Sequence, residues 1–240
     1  MRAMSEPKAL PPEVFADSLR TLIAGRRSFG GHPLWQRIAE GGVDRAGLQQ
    51  FAVQFFLQVR EFPRAVSGLH ARCPDASERI ELAESLYEEE TGRISGCGLP
   101  HPELFLLFGT ATGLPREAFL EGRALPGTAS LIHWFELSTR SLSYLEGTAA
   151  ITLAAEGQVP GAFGPFARSL EKHYGFTQEQ VSFWDVHEIA DRDHSDVGDH
   201  AVLRHARSAD AQERVRAAVE TSLAQWWQFF DGIERTIEAT

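Results

Sequence analysis

Apolar residues recur at helical spacing in nearly every segment of this chain, and no sustained strict alternation of apolar and polar residues appears. That pattern restricts the fold to a helical bundle, because a buried strand face would need a period of two. A first helix is predicted from Pro12 to about Ala24, where Pro11 and Pro12 lose nothing by lacking a backbone N–H. A short one follows His32 through Leu34, Trp35 and Ile38 and stops at Gly41–Gly42. Asp44 caps a long helix carrying Leu48, Phe51, Phe55, Val59 and Phe62, kinked at Pro63 and ending near Pro74. Asp75 and Ala76 open the next, in which Ile80, Ala83 and Leu86 set a buried face that, extended into the acidic run Glu88–Glu90 before Gly92, leads to Glu89 or Glu90.

Beyond a glycine-containing loop, helices are predicted from Pro102, from Pro115, over 128–139, from Ser141 or Ser143 to Glu156, and over 163–174. Thr177 and Gln180 resemble a capping box for a helix through Trp184 to about Arg207. A last helix places Val215, Val219, Leu223, Trp226 and Phe229 on one face. With 240 residues, 43% of them hydrophobic, the chain can bury one substantial core, and residues 1–240 are read as a single domain.

Several function classes drop out. The net charge is -10 and the cations are scattered, so no basic stripe follows phosphates and nucleic acid is not an expected partner. No uninterrupted apolar run of roughly 18 residues occurs, and the N-terminal stretch has no signal-like core, so the expectation is a cytoplasmic protein outside the membrane. Two cysteines, Cys73 and Cys97, make neither a disulfide framework nor a thiolate zinc site. The size is compatible with a symmetric homodimer, which no motif demands.

Nine histidines are more informative than the charge. His187, Asp191 and His194 stand at i, i+4 and i+7, so on a helix they share one face. Two imidazoles and a carboxylate on adjacent turns suit iron, manganese or zinc better than calcium or magnesium. A polar stripe facing water would show the same spacing, but Phe183, Trp184, Val186 and Ile189 make the segment apolar, and buried polar groups need partners. Glu156 ends the apolar run Ile151–Ala155. One of Glu88, Glu89 and Glu90 is expected to point inward, although charge runs are usually solvated, and His101 returns after a short loop. His32, His70, His133, His173, His200 and His205 have no metal-like spacing. Ferritin-type bundles use Glu-x-x-His pairs, and this sequence has none.

The run Ser85-Leu86-Tyr87-Glu88-Glu89-Glu90-Thr91-Gly92, then His101-Pro102-Glu103-Leu104-Phe105, then Glu156, then His187-x3-Asp191-x2-His194 resembles the haem-oxygenase-like di-metal oxidase family over most of the chain. That family is related in fold to pyrroloquinoline-quinone synthase and thiaminase II proteins. The resemblance implies an all-α, compact bundle of about seven or more helices with a substrate pocket beside the metals. It implies Glu89, His101, Glu156, His187, Asp191 and His194 as ligands of two iron ions. It also implies dioxygen as co-substrate and a small organic molecule, such as an amino acid, an amine or a fatty acid, as the substrate oxidised. Neither cysteine matches the thiaminase II nucleophile, and the full ligand set departs from the cofactorless quinone synthases. Two other readings use the same bundle: a metal-free small-molecule binding protein, and a cofactorless oxidase built on an acid–base pair.

Overall fold

A computed structural model describes residues 8–239, apart from the side chains of residues 189–197. Among the described residues it contains α-helices α1 (Pro12–Arg26), α2 (Pro33–Ala39), α3 (Arg45–Val59), α4 (Phe62–Arg72), α5 (Ala76–Thr91) and α6 (His101–Ala111). These are followed by α7 (Arg116–Leu120), α8 (Pro126–Arg140), α9 (Tyr144–Thr148), α10 (Phe163–Tyr174), α11 (Ser182–His205) and α12 (Ala209–Glu238). No strand occurs among these residues, and the all-helical expectation holds. Among the described residues no helix is long and apolar enough to cross a membrane.

Local chemistry explains most helix starts. Asp44 caps α3 by accepting from the Gly47 amide at 2.8 Å, and Asp75 caps α5 by accepting from the Ser77 and Glu78 amides at 2.9 and 3.2 Å. Pro33, Pro102 and Pro126 each occupy the first turn of a helix, where an amide hydrogen would have no partner.

Four boundaries differ from expectation. The helix predicted to kink at Pro63 is broken instead: Arg60 and Glu61 separate α3 from α4, and Pro63 takes a first-turn position in α4. His101 is itself the first residue of α6, with Pro100 at the cap. Thr177 and Gln180 do form reciprocal cap bonds, at 2.9 and 3.3 Å, but on a turn that precedes α11. The run expected to be one helix up to Glu156 is α-helical only to Thr148, with Ser143 and Glu146 forming a capping box. It widens into a π-helical segment, Ala149–Leu153, and Glu156 falls in a 3₁₀ turn, Glu156–Gln158.

That irregular segment runs through the middle of the molecule, with α9, α11 and α12 around it. α11 approaches it at Gly198, where a Cβ would lie 2.6 Å from Thr152 Oγ1 and 2.9 Å from Leu153 Cβ. Only glycine permits this crossing.

The larger core cluster is aromatic and centres on Trp184, which is fully buried. Its ring lies 4.9 Å from Phe163 and Phe166, 5.0 Å from Phe55 and 5.6 Å from Phe108. Such pairs add about 0.5–1.5 kcal/mol each beyond area burial. They fix the first turn of α11, one turn before His187. A second cluster, including Phe15, Leu19, Leu153, Val202, Val219 and Leu223, joins α1 and the ends of α11 and α12 to the π-helical segment.

Candidate metal centre

The end of α5 supplies two buried carboxylates with different partners. Glu88 and Glu89 are 2% and 3% exposed, whereas Glu90 faces solvent. The expected buried face through Ile80 and Ala83 is corrected: Ile80 is 62% exposed and Ala83 is exposed, and the inward residues are Glu78, Leu82, Ser85 and Glu89. The cause lies at the other end of α5. Buried Glu78 is held by Arg204 and His205 of α11, each at 2.9 Å, and Ile80, about 200° further round the helix, is thereby turned outward.

Gly92 ends α5 in the left-handed conformation at φ 59°, and a Cβ there would lie 2.3 Å from both Leu99 O and Cys97 Sγ. The loop therefore folds back on the helix end and returns His101 over the two glutamates. Oxygen Oε2 of Glu88 accepts from the loop amides of Ile94 and Ser95 at 2.7 and 3.2 Å, and Oε1 lies 3.3 Å from His101 Nε2. The opposite nitrogen, Nδ1, lies 3.0 Å from Glu89 Oε1. Its ring is 1% exposed. Burial works against a charge on this imidazole, but Glu89 and Glu88 together outweigh it and raise its pKa to about 9. The enclosure favours positive charge.

From α11, His187 stacks against Phe183 with ring centroids 4.1 Å apart and meets His101 at 4.4 Å. Its Nδ1 is 2.7 Å from the Phe183 carbonyl. A carbonyl only accepts, so Nδ1 carries the proton and Nε2 is the nitrogen that can offer a lone pair. Glu89, His101 and His187 each place one ligand atom so that all three lie within 4.8 Å of one another.

Glu156, 4% exposed, lines the same pocket as Glu89 and His187. Its turn is fastened by Gln158, which donates to Ala154 O at 2.7 Å and accepts from the Ser28 amide at 2.7 Å. Asp191 and His194 follow His187 on α11, and their side chains lie outside the described residues. Three of the six expected ligands thus meet within 4.8 Å, and a fourth, Glu156, lines the same pocket.

Two residues take supporting roles that the sequence reading did not assign to them. Glu88 orients His101, and Glu188 ties α11 to the start of α10 by accepting from the amides of Gly161 and Gly164 at 2.7 and 3.0 Å. The adjacent carboxylate in the Glu88–Glu90 run was the available signal for the first; Glu188 had none beyond its place next to His187.

The residues fit a transition metal. Nitrogen and oxygen donors of this kind suit iron, manganese or zinc. The 3.0 Å between His101 Nδ1 and Glu89 Oε1 lacks the angle of a hydrogen bond, yet is about the separation of two donors that bind one ion near 2.1 Å at right angles. A second cluster, His32 with Asp231 and Glu234, does not fit. His32 Nδ1 accepts from the Leu34 amide at 3.1 Å, so its other nitrogen carries the proton and donates to Asp231 at 3.0 Å. No lone pair remains for a metal.

Comparison with known proteins bears on the family and the fold. Over 212 residues the chain is 30% identical to 4-aminobenzoate synthase of Nitrosomonas europaea, covering 84% of each protein. It is 27% identical over 227 residues to pyrroloquinoline-quinone synthase of Xanthomonas campestris, covering 93% of this chain and 88% of the relative. A solved domain with a heme oxygenase-like fold from Shewanella denitrificans superposes with a TM-score of 0.76 at 15% identity, covering 95% of this chain and 94% of the other. Residues 49–227 match the family of iron-containing redox enzymes. The chain belongs to that family, and it is an oxidoreductase with a haem-oxygenase-like fold.

Proposed function

We propose that this protein binds two iron ions through Glu89, His101, Glu156, His187, Asp191 and His194, and that it activates dioxygen to oxidise a small organic substrate held in the adjoining pocket. The observation that carries this reading is the meeting of Glu89, His101 and His187 within 4.8 Å at the wall of an aromatic pocket that Glu156 also lines. Three carboxylates and three neutral imidazoles offset most of the charge of two divalent cations, which makes the burial of both affordable.

Iron, when bound, supplies the redox chemistry that activates dioxygen. The chain's own groups prepare the site. With a metal bound, Glu88 would retain the Nε2 proton of His101 and leave the Nδ1 lone pair, on the Glu89 side, for the ion. The Phe183 carbonyl does the same for His187 through the opposite nitrogen. Phe55, Phe163, Phe183 and Trp226 line the pocket and keep bulk water from the reacting groups.

The test is anaerobic titration of metal-free protein with ferrous iron, followed by exposure to oxygen in a stopped-flow spectrometer. Wild type is expected to take up about two irons per chain and to give a transient visible absorption. His187→Ala and Glu156→Ala are expected to lose both. If iron does not bind, or the variants behave as wild type, the metal-free binding protein replaces this reading.

A further inference from the structure

Two buried glutamines stand one turn apart on α3, and their amides are used differently. Gln54, 2% exposed, accepts from the Leu125 amide at 2.9 Å and from Thr128 Oγ1 at 2.7 Å, and donates to the Arg123 carbonyl at 3.0 Å. Its hydrogen-bonding capacity is spent on holding the loop before α8. Gln58 is 3% exposed, and among the described residues its side chain has no hydrogen-bond partner. It lines the pocket that contains Glu89, Glu156 and His187. Its amide nitrogen and oxygen are not sealed within the packing but open onto the pocket, where they can meet a polar group that enters it.

The rest of the pocket narrows what could meet that amide. The pocket opens to solvent at its mouth, and six aromatic rings line it: Phe29, Phe55, Phe62, Phe163, Phe183 and Trp226. Among the described lining residues there is no lysine or arginine. A carboxylate seated beside Gln58 would be a buried charge with no lysine or arginine among the described lining residues to pair with it. A primary amide presents both an acceptor and a donor, so it matches a group that does the same.

We propose that Gln58 is the substrate-binding residue of this pocket, and that the pocket takes an uncharged single aromatic ring bearing one amino or hydroxyl group. The polar group bonds to the Gln58 amide, and the ring lies among the phenylalanines. The inference rests on the proposed oxidase only for the fate of the ligand, since the contact itself involves the protein alone.

Three probes of one shape separate the terms: 4-methylaniline, toluene and 4-methylbenzoate. Binding of each is measured by calorimetry to wild type and Gln58→Leu, both loaded anaerobically with ferrous iron and after chelation. Wild type is expected to hold 4-methylaniline about tenfold more tightly than toluene, as one hydrogen bond in a desolvated site allows. Gln58→Leu is expected to lose that preference while unfolding at about the same temperature, because the amide removed bonds to no other described residue. A variant that unfolds earlier and keeps the preference would make Gln58 a structural residue and overturn the assignment. No binding of 4-methylaniline at millimolar concentration also overturns it, and tight binding of 4-methylbenzoate overturns the uncharged class, in favour of a carboxylate on the metals if chelation abolishes it. Iron uptake with no effect of Gln58→Leu sinks this inference and spares the oxidase; a Gln58-dependent preference in a protein that takes up no iron does the reverse.

Discussion

Glu88 holds the Nε2 edge of His101 at 3.3 Å, on the opposite side of the imidazole from Glu89. Consecutive glutamates on one helix end thus serve one histidine from two sides. Glu88 accepts at both oxygens, from the imidazole at one and from the Ile94 and Ser95 amides at the other. Glu88→Gln keeps the shape but can accept at only one end, so either the loop or the imidazole loses its partner. Iron affinity is expected to fall by about 10–100-fold, the usual effect of removing a group that orients a metal-binding histidine. Competition against a ferrous chelator measures it. Unchanged affinity would mean that Glu88 merely fastens the loop.

Gly198 is required by the close approach of α11 to the π-helical segment that precedes Glu156. In Gly198→Ala the new methyl meets Thr152 Oγ1 at 2.6 Å and the Leu153 backbone nitrogen at 3.0 Å, and neither can retreat within a filled core. Overpacking of this kind costs about 1–3 kcal/mol. Thermal unfolding should register the loss, and iron stoichiometry should fall because the displaced segment carries Glu156. A variant as stable as wild type, with full iron, would show that the crossing has slack.

How far the sequence exposed this site depended on the kind of residue. Helical periodicity located nearly every helix, because the aromatic core is built from residues at regular spacing on α3, α11 and α12. It failed on α5, where polar Glu78, Ser85 and Glu89 face inward and apolar Ile80 faces out. Their burial is stabilised by ion pairs and histidine contacts that come from distant parts of the chain. The π-helical widening at Ala149–Leu153 was illegible for a similar reason: Ala, Ile, Thr and Leu fit an α-helix equally well, and local propensity does not distinguish the two. Gln58 did carry a signal, a polar residue one turn after Gln54 within an otherwise apolar run. Spacing alone could not say which of the two amides the protein itself would satisfy.

Phe105 supports the pocket from behind. Its ring stacks on Phe55 with centroids 5.4 Å apart at 10°, and meets Phe183 edge-on at 5.0 Å. Both partners line the pocket. Phe105→Ala removes a fully buried ring and is expected to cost about 3–5 kcal/mol, read as a lower urea midpoint. Loss of less than about 1 kcal/mol would imply that the neighbouring rings collapse into the space.

Asp75 makes the stability of α5 pH-dependent. The Ser77 hydroxyl, the Glu78 and Ser77 amides and the charge of Arg204 hold its carboxyl at a pKa of about 2, against an opposing effect of desolvation. An ordinary aspartate titrates near about 3.9. Because the folded value is the lower one, the contribution is fully present above the ordinary value and is lost as pH falls through about 2. Asp75→Asn still caps the helix but cannot ionise. In metal-free protein, wild type is therefore expected to be the more stable at neutral pH, and its advantage should shrink steadily as the medium is acidified below about pH 5. Urea midpoints of both proteins across that range provide the comparison, and an advantage that stays constant with pH would place the stabilisation in the cap geometry and not in the charge.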